Sequence, residues 1–323
     1  MIRERDKAWL IRCTEGRVRF DEPMARHTSF RVGGPAAVFL EPRSLDELAM
    51  LLRGLYDRDI PVFVLGGGSN VLVWDRGIAG ALIRLRFCEP HIGVADCADG
   101  RIRIVAGAGA SLPALCRLAI RRGCKGLNRL IGIPGSVGGA LAGNAGGAQG
   151  WISDVVESIS LLTTSGKIVR ESAGRFGWAY RGMHWPQTPQ YQDDKPVCIV
   201  SAEFVLEPDD PERLRAEAIE LLDRRKRSQP IGQASAGCIF KNPPTGPSAG
   251  YLIDRAGLKG LRIGGAEISR VHANFIVNVA NACAADISGL IDLVRNRVME
   301  RWGVCLENEI IVLRQRPNPF HRE

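Results

Sequence analysis

The sequence has 323 residues, of which 45% are hydrophobic and 24% are charged, proportions typical of a soluble globular chain of two or three domains. Its net charge of +8 is not gathered into a run of five like charges or a basic stripe with interleaved aromatic residues, which disfavours a nucleic-acid-binding protein. Nine cysteines without a C-x-x-C pair or a zinc-type spacing disfavour a structural metal and are typical of a reducing compartment.

The sequence predicts a cytoplasmic protein whose first part contains both helix and strand. Residues 1–12 lack the apolar core of a signal peptide, and no stretch approaches the ~20 apolar residues of a membrane span. Ser44 and Glu47 form a capping box for a helix whose apolar residues follow at helical spacing. A β-branched strand at 60–65 then runs into Gly66-Gly67-Gly68-Ser69-Asn70, and a strand pattern resumes at 71–74.

The middle of the chain predicts strands around one glycine-rich stretch. Strands are expected at 81–85 and 101–106, followed by a helix that begins at Ser111, carries Pro113 in its first turn and ends at Gly123. The densest run of glycines covers 126–150. Three further strands follow it, at 155–162, 167–170 and 197–206.

The segment Pro208-Asp209-Asp210-Pro211 indicates a domain boundary, and the remainder predicts a separate α/β domain. Helices are expected at 212–227, at 249–256 with Gly257 as its cap, and from residue 285 or 286 to 302 with Gly303 as its cap. Strands are expected at 274–279 and 309–313. We therefore predict a first domain over 1–207, with lobes of about 1–80 and 81–207, and a second over 208–323.

Two glycine-rich loops give the strongest functional signal in the sequence. Without a Cβ, glycines let backbone N–H groups turn toward an anion, so Gly66–Asn70 is a candidate diphosphate cradle. A strand pattern follows this loop, whereas a Rossmann fingerprint opens a helix, so we expect loop amides to hold the diphosphate. The second loop, 132–139, is followed by Asn144-Ala145-Gly146-Gly147. Two such regions in one domain favour a nucleotide or dinucleotide cradle over two tight turns.

The order of several motifs resembles the UDP-N-acetylenolpyruvoylglucosamine reductase family from about residue 24 to 313. The Gly-Ile-Pro-Gly and Phe-Lys-Asn-Pro sequences are the specific ones. The motifs are His27-Thr28-Ser29-Phe30-Arg31-Val32-Gly33-Gly34-Pro35-Ala36, the two glycine loops, Tyr180-Arg181, Ser235-Ala236-Gly237-Cys238-Ile239-Phe240-Lys241-Asn242-Pro243, Ala256-Gly257-Leu258-Lys259-Gly260, His272-Ala273-Asn274-Phe275 and Leu306-Glu307-Asn308-Glu309.

The resemblance implies an α+β fold, with a two-lobed FAD-binding domain of the vanillyl-alcohol-oxidase (PCMH) type and a C-terminal α/β substrate-binding domain. It also implies non-covalent FAD, NADPH as the reductant, and reduction of UDP-N-acetylglucosamine enolpyruvate to UDP-N-acetylmuramate for peptidoglycan, hence a role in cell shape and division. Hydride would pass from flavin N5 to C3, and a proton to C2. The cofactor residues implied are Gly66, Gly67, Gly68, Ser69, Asn70, Gly132, Ile133, Pro134, Gly135, Ser136, Gly138, Gly139 and Asn144.

By the same resemblance, three residues carry the chemistry. Arg181 would polarise the substrate carboxylate, Glu309 would be its partner, protonated when it acts, and Cys238 would donate the proton. The resemblance also implies a monomer without a metal site, whose substrate diphosphate would contact Arg224, Arg227 or Lys241. The predicted substrate-binding residues are Tyr180, Arg227, Lys241, Asn242 and His272.

The sequence departs from the family pattern at two positions. One subtype of the family has an inserted substrate lid that carries a tyrosine; residues 204–229 contain no tyrosine, so the chain resembles the shorter subtype without that lid. Cys238 stands where serine is common, which predicts an alkaline loss of activity near the ordinary thiol pKa of ~8.5. Arg181 should move that loss toward neutrality unless burial opposes it, and the thiol should be open to alkylation. His27 stands where asparagine is common. Two alternatives remain: a related oxidase with flavin attached to His27 or Cys97, and a non-enzymatic nucleotide-binding protein.

Overall fold

The computed structural model describes residues 2–86, 92–97, 99–186, 191 and 194–314. In these ranges the α-helices are α1 (Glu4–Cys13), α2 (Leu45–Tyr56), α3 (Leu112–Arg121), α4 (Val137–Ala142), α5 (Pro211–Ser228), α6 (Ala249–Arg255) and α7 (Ala284–Trp302). The strands are β1 (Arg19–Pro23), β2 (Pro35–Leu40), β3 (Val62–Leu65), β4 (Val71–Val73), β5 (Ile78–Arg84), β6 (Ile92–Asp96), β7 (Ile102–Gly107), β8 (Cys124–Lys125), β9 (Gly146–Gly147), β10 (Gly150–Trp151), β11 (Val156–Thr163), β12 (Ile168–Ser172), β13 (Gly177–Ala179), β14 (Gly182–His184), β15 (Pro196–Pro208), β16 (Arg262–Ile263), β17 (Ala266–Ile268), β18 (Ile276–Asn278) and β19 (Ile311–Leu313). None of the helices in the described part of the chain is long and apolar enough to cross a membrane.

The first lobe is a four-stranded sheet in the order β1-β2-β5-β3. Strands β2, β5 and β3 run parallel, and α2 connects β2 to β3. The amphipathic pattern predicted for α2 is confirmed, because its apolar stripe is buried in the main core. Ser44 accepts from the Glu47 amide as predicted, but the Glu47 carboxylate accepts from the amide of Arg43 and so does not close the box on Ser44.

The second lobe is a largely antiparallel sheet in the order β12-β11-β15-β7-β6. Its core is continuous with that of the first lobe, since one cluster contains Ile83 of β5 together with Ile159 and Phe204. Strand β5 belongs to the first sheet, so that sheet extends to Arg84, a few residues beyond the predicted lobe boundary at about residue 80.

The C-terminal part contains the antiparallel sheet β16-β17-β18 and the helices α6 and α7 around a core of its own. That core also takes in Phe30 and Leu72 from the first lobe. Asp75 caps α7 by accepting from the amides of Ala284 at 2.7 Å and Ala285 at 2.9 Å. The final strand β19 pairs in parallel with β4, directly after the first glycine loop.

Most predicted elements are found close to their expected positions, and the mixture of helices and antiparallel strands confirms the α+β class. The elements not predicted are α1, α4 and the short strands β1, β2, β6, β8–β10, β13, β14, β16 and β17. These elements are short or lack a clear hydrophobic period. Their formation therefore depends on contacts with partners far away in sequence. Residues 315–323 of the predicted second domain lie outside the described residues.

Candidate active site

The two glycine loops lie against each other between the lobes. A Cβ on Gly67 would stand 2.7 Å from the Gly135 Cα, so neither loop has room for a side chain there. The Ser69 hydroxyl donates to the Pro134 carbonyl at 3.4 Å. As predicted, a strand follows the first loop. The second loop instead leads into the short helix α4, which Ser136 caps by accepting from the Gly139 amide at 3.3 Å.

A cavity of about 300 Å³ opens beside these loops, between the first sheet and the N-terminal end of β15. Arg84 and Arg86 enter it from the first lobe, and Cys198 and Ile199 from the second. Of the predicted cofactor residues, those that line the cavity are Gly66, Gly67, Gly135, Ser136, Gly138 and Gly139. The other predicted cofactor residues are not among the lining residues: Gly68, Ser69, Asn70, Gly132, Ile133, Pro134 and Asn144. The Asn70 side chain donates instead to the Glu309 carbonyl at 3.2 Å.

Arg181 lies at the tip of the β13–β14 hairpin, in a two-residue loop between the paired residues Ala179 and Gly182. Its φ of 59° is in the left-handed region that favours glycine, so the backbone is strained at this position. The Arg181 Nη1 donates to the Gly146 carbonyl at 3.0 Å, and the Asn144 amide donates to the Ala179 carbonyl at 3.1 Å. These two hydrogen bonds tie the hairpin to the end of the second glycine region.

Arg181 forms an ion pair with Glu309, the Nε and Oε1 atoms being 2.9 Å apart. Nε is buried, and the Glu309 carboxyl is its one close partner among the described residues, without ideal hydrogen-bond geometry. The nearby Asn144 Oδ1 is buried without a donor. A poorly satisfied donor and an unused acceptor at one site are typical of a place built for an additional polar molecule.

Glu309 is held by backbone contacts to the two segments on either side of it. Its amide donates to the Ile239 carbonyl at 2.7 Å, and its carbonyl accepts from Asn70. Burial raises the pKa of the Glu309 carboxyl above its usual range, although Arg181 and Lys241 act in the opposite direction. The carboxyl is therefore poised to carry a proton beside a cation.

Cys238 precedes Ile239 in the segment that Glu309 contacts. Burial raises the pKa of the Cys238 thiol to about 12, and the Glu309 carboxylate adds to the rise against Arg181 and Arg225. Burial thus outweighs the attraction of the two arginines, so the thiol keeps its proton over the neutral range, and any alkaline loss should lie well above the ordinary thiol pKa. Part of the Cys238 surface is exposed, but a protonated thiol reacts slowly with alkylating reagents.

Arg225 is a candidate site residue that the sequence motifs did not indicate. It lies on α5 against the second glycine loop, where a Cβ on Gly132 would stand 3.0 Å from the Arg225 Cδ. Burial lowers the pKa of the Arg225 guanidinium, and Arg181 lowers it further. The signal was present in the sequence, because the inward positions Leu214, Ala218, Leu221 and Arg225 follow helical spacing.

The other predicted basic residues on α5 point elsewhere. Arg224 pairs with Glu220 at 2.9 Å, and the Arg227 Nε donates to the Asp223 carbonyl at 3.3 Å. Both side chains are exposed, so the geometry does not favour the predicted role of Arg227 in substrate binding. Lys241 pairs with Glu307 at 3.4 Å.

Three predicted substrate residues support the site from one side. The Tyr180 hydroxyl accepts from the Asn242 amide at 3.4 Å, and the Asn242 side chain accepts from Ala249 at the start of α6 at 3.1 Å. The His272 Nδ1 accepts from the Asn274 amide at 3.2 Å, and burial lowers the pKa of this imidazole. Asn274 in turn bonds Phe240 through both side-chain atoms, so His272 braces the Cys238 segment.

The His27 side chain is committed to neighbours within the first lobe. Its Nε2 lies 2.8 Å from Glu22, its Nδ1 lies 3.3 Å from the Arg84 Nη1, and its ring stacks on Phe39. Both ring nitrogens are thus in use, which disfavours covalent attachment of flavin at His27. Among the side chains described, no group of three or more His, Cys, Asp or Glu residues is arranged to hold a metal ion.

The strain at Arg181 predicts a difference between two substitutions. Arg181→Gly and Arg181→Ala remove the same interactions, but only glycine relaxes a backbone at φ 59°. We expect the glycine variant to have the larger free energy of unfolding, by about 1 kcal/mol. Urea denaturation of both variants measures this difference, and equal midpoints would show that the hairpin relaxes without strain.

The comparisons with known proteins agree along the whole chain. A model of a FAD binding domain matches residues 35–172, and the model of the C-terminal domain of UDP-N-acetylenolpyruvoylglucosamine reductase matches residues 229–313. The reductase of that name from Desulfosudis oleivorans is 43% identical over 309 residues, 96% of this chain and 98% of the relative. That from Syntrophobacter fumaroxidans is 41% identical over 305 residues, 94% of this chain and 86% of the relative. The crystal structure of the Thermus caldophilus reductase is 36% identical, with a TM-score of 0.74 over 92% of this chain and 98% of that chain.

Proposed function

Because the chain belongs to the UDP-N-acetylenolpyruvoylglucosamine reductase family, a family of flavin-dependent oxidoreductases, we propose that it reduces UDP-N-acetylglucosamine enolpyruvate to UDP-N-acetylmuramate at the expense of NADPH. The observation that carries the proposal is the grouping of Arg181, Glu309, Cys238 and Arg225 beside the glycine loops. We further propose that the enzyme acts in the cytoplasm as a monomer.

The glycine loops fit the FAD cofactor of this family. A side chain at Gly67 or Gly135 would fill the space between the loops, so backbone N–H groups are left free to face an anion. The residues that line the cavity, together with Ser69 and Asn70, would hold the dinucleotide. When bound, FAD would take a hydride from NADPH and pass it to C3 of the enolpyruvyl group.

Arg181 is the residue best suited to bind the enolpyruvyl carboxylate. Its buried Nε lies beside the Glu309 carboxyl but is not in ideal hydrogen-bond geometry with it, and its guanidinium lies 5.6 Å from the centre of the Trp151 ring, which limits its movement. Hydride addition at C3 places negative charge on the carbon that carries the carboxylate. A fixed cation beside that carboxylate stabilises the charge as it develops.

Cys238 and Glu309 divide the proton chemistry between them. The Cys238 thiol retains its proton because burial raises its pKa to about 12, so it can deliver that proton to C2. Glu309, whose pKa is also raised by burial, can donate a hydrogen bond to the substrate carboxylate in its protonated form. Arg181 then lies as a cation next to these two neutral acids, with Arg225 acting on Cys238 and Lys241 on Glu309 from further away.

Arg225 is the best candidate for the cation that meets the UDP diphosphate. It is the α5 arginine that faces Cys238 and Arg181, whereas Arg224 and Arg227 are exposed and bonded within their own helix. Tyr180, Lys241, Asn242 and His272 would complete the substrate side of the site.

Anaerobic half-reactions test this function directly. NADPH should bleach the visible flavin band of the purified protein, and UDP-N-acetylglucosamine enolpyruvate should then restore it with formation of UDP-N-acetylmuramate. Bleaching by NADPH without restoration by the sugar nucleotide would assign the protein to another flavin oxidoreductase activity.

A further inference from the structure

A chain of charged and polar side chains runs behind the first glycine loop and ends in the cavity between the lobes. Glu22 at the end of β1 contacts the His27 Nε2 at 2.8 Å, and the His27 Nδ1 contacts the Arg84 Nη1 at 3.3 Å. The His27 side chain is 8% exposed and that of Glu22 is 10% exposed. Arg84, at the end of β5, is part of the cavity wall.

The chemistry of the three side chains permits one arrangement of protons. A guanidinium only donates, so the His27 Nδ1 must be the acceptor from Arg84. A neutral imidazole with an accepting Nδ1 carries its proton on Nε2, which then donates to the Glu22 carboxylate. A hydrogen on Nδ1 would remove the lone pair that accepts from Arg84 and break this bond.

In the part of the chain that the structure describes, no other side chain forms a hydrogen bond with the Arg84 guanidinium. Its Nε lies 4.0 Å from Glu41, a carboxylate that it shares with Arg19 at 2.6 Å and Arg86 at 3.7 Å. On the other side of His27, two arginines act on the Glu22 carboxylate: Arg19 lies 3.8 Å from it, and Arg26 is close enough to affect its charge. The Phe39 ring stacks on the imidazole. The ring is thus held in place by Glu22 and Phe39, and it directs Arg84.

We propose that His27 is a positioning residue that, in its neutral form, holds Arg84 in the flavin cavity, where the guanidinium offsets the negative charge of the FAD diphosphate. The proposal rests on the FAD binding of the proposed function and adds a residue that positions one of the cavity's cations. FAD should bind less tightly when the side chain at position 27 can no longer accept a hydrogen bond from Arg84.

The test is the affinity of the apoprotein for FAD, followed by the change in flavin fluorescence. His27→Phe keeps a ring on Phe39 but removes the acceptor, and it should raise the Kd for FAD by about tenfold to a hundredfold. His27→Gln can donate to Glu22 and accept from Arg84, so it should rescue the loss and bind FAD nearly as wild type does. Circular dichroism of both variants monitors the fold.

A double-mutant cycle shows whether His27 acts through Arg84. In an Arg84→Met background, which should itself raise the Kd, His27→Phe should have little further effect. Arg19→Gln is the matched control, because it removes another cation from Glu22 and Glu41 without touching the cavity, and it should leave the Kd unchanged. Additive losses in the cycle, or an Arg84→Met variant that binds FAD normally, would overturn the inference. A wild-type protein that binds no FAD would instead overturn the proposed function.

Discussion

Glu309→Gln should leave reduction of the flavin by NADPH near the wild-type rate and slow its reoxidation by the sugar nucleotide by about 10²–10³-fold. The carboxyl lies 2.9 Å from Arg181 and is 13% exposed, so the substitution acts where the substrate carboxylate is expected to bind. The amide cannot provide the acid form that burial favours by raising the pKa of Glu309. Anaerobic stopped-flow absorbance resolves the two half-reactions.

The neighbouring Glu307 provides the control. It is an exposed glutamate that pairs with Lys241 at 3.4 Å, so Glu307→Gln should affect neither half-reaction. If Glu309→Gln slowed both half-reactions equally, the residue would act on the flavin environment and the assignment to the substrate would be wrong.

Cys238→Ala should have the largest effect of any single substitution on product formation, about 10²–10⁴-fold, because it removes the proton donor. Its flavin should still be reduced by NADPH. Cys238→Ser should retain activity, since a hydroxyl also carries a transferable proton, and Cys305→Ala is a control at an exposed cysteine. Wild-type turnover by Cys238→Ala would mean that the proton comes from elsewhere and that Cys238 only packs.

The pH dependence of the same step separates a buried thiol from an ordinary one. With a pKa raised to about 12, the Cys238 thiol should contribute no alkaline decline to flavin reoxidation between roughly pH 7 and 10, and wild type and Cys238→Ser should therefore give parallel profiles. Iodoacetamide should modify Cys238 slowly in the absence of substrate. A wild-type decline that Cys238→Ser removes would show that the arginines prevail over burial.

Local sequence signals predicted the elements that carry their own periodicity or caps. Helix α2 with its Ser44 cap and helix α7 with its Gly303 terminus are found as expected, because the apolar spacing and the cap residues are local. The hairpin that carries Arg181 was not predicted. Its strands have three residues each, and its turn places an arginine where glycine is preferred, so no local preference favours it.

The residues that form the candidate site could be predicted from the sequence, but their protonation states could not. The resemblance selected Arg181, Cys238 and Glu309, and the structure brings all three together. The state of the thiol could not be predicted, because it depends on how completely distant segments bury it. Arg225 could have been found by following the inward stripe of α5, whereas the family resemblance implied Arg224, Arg227 or Lys241.

The pairing of β19 with β4 has a consequence for the newly made polypeptide. The Asn70 side chain and the Glu309 carbonyl that it contacts are 239 residues apart in sequence. Translation proceeds from the N-terminus, so both glycine loops are synthesised long before Glu309, and the closure of so large a loop is slow. A partly synthesised or C-terminally clipped polypeptide therefore keeps its cofactor loops but lacks the carboxyl that governs the substrate, and full-length synthesis is the condition for a complete active site.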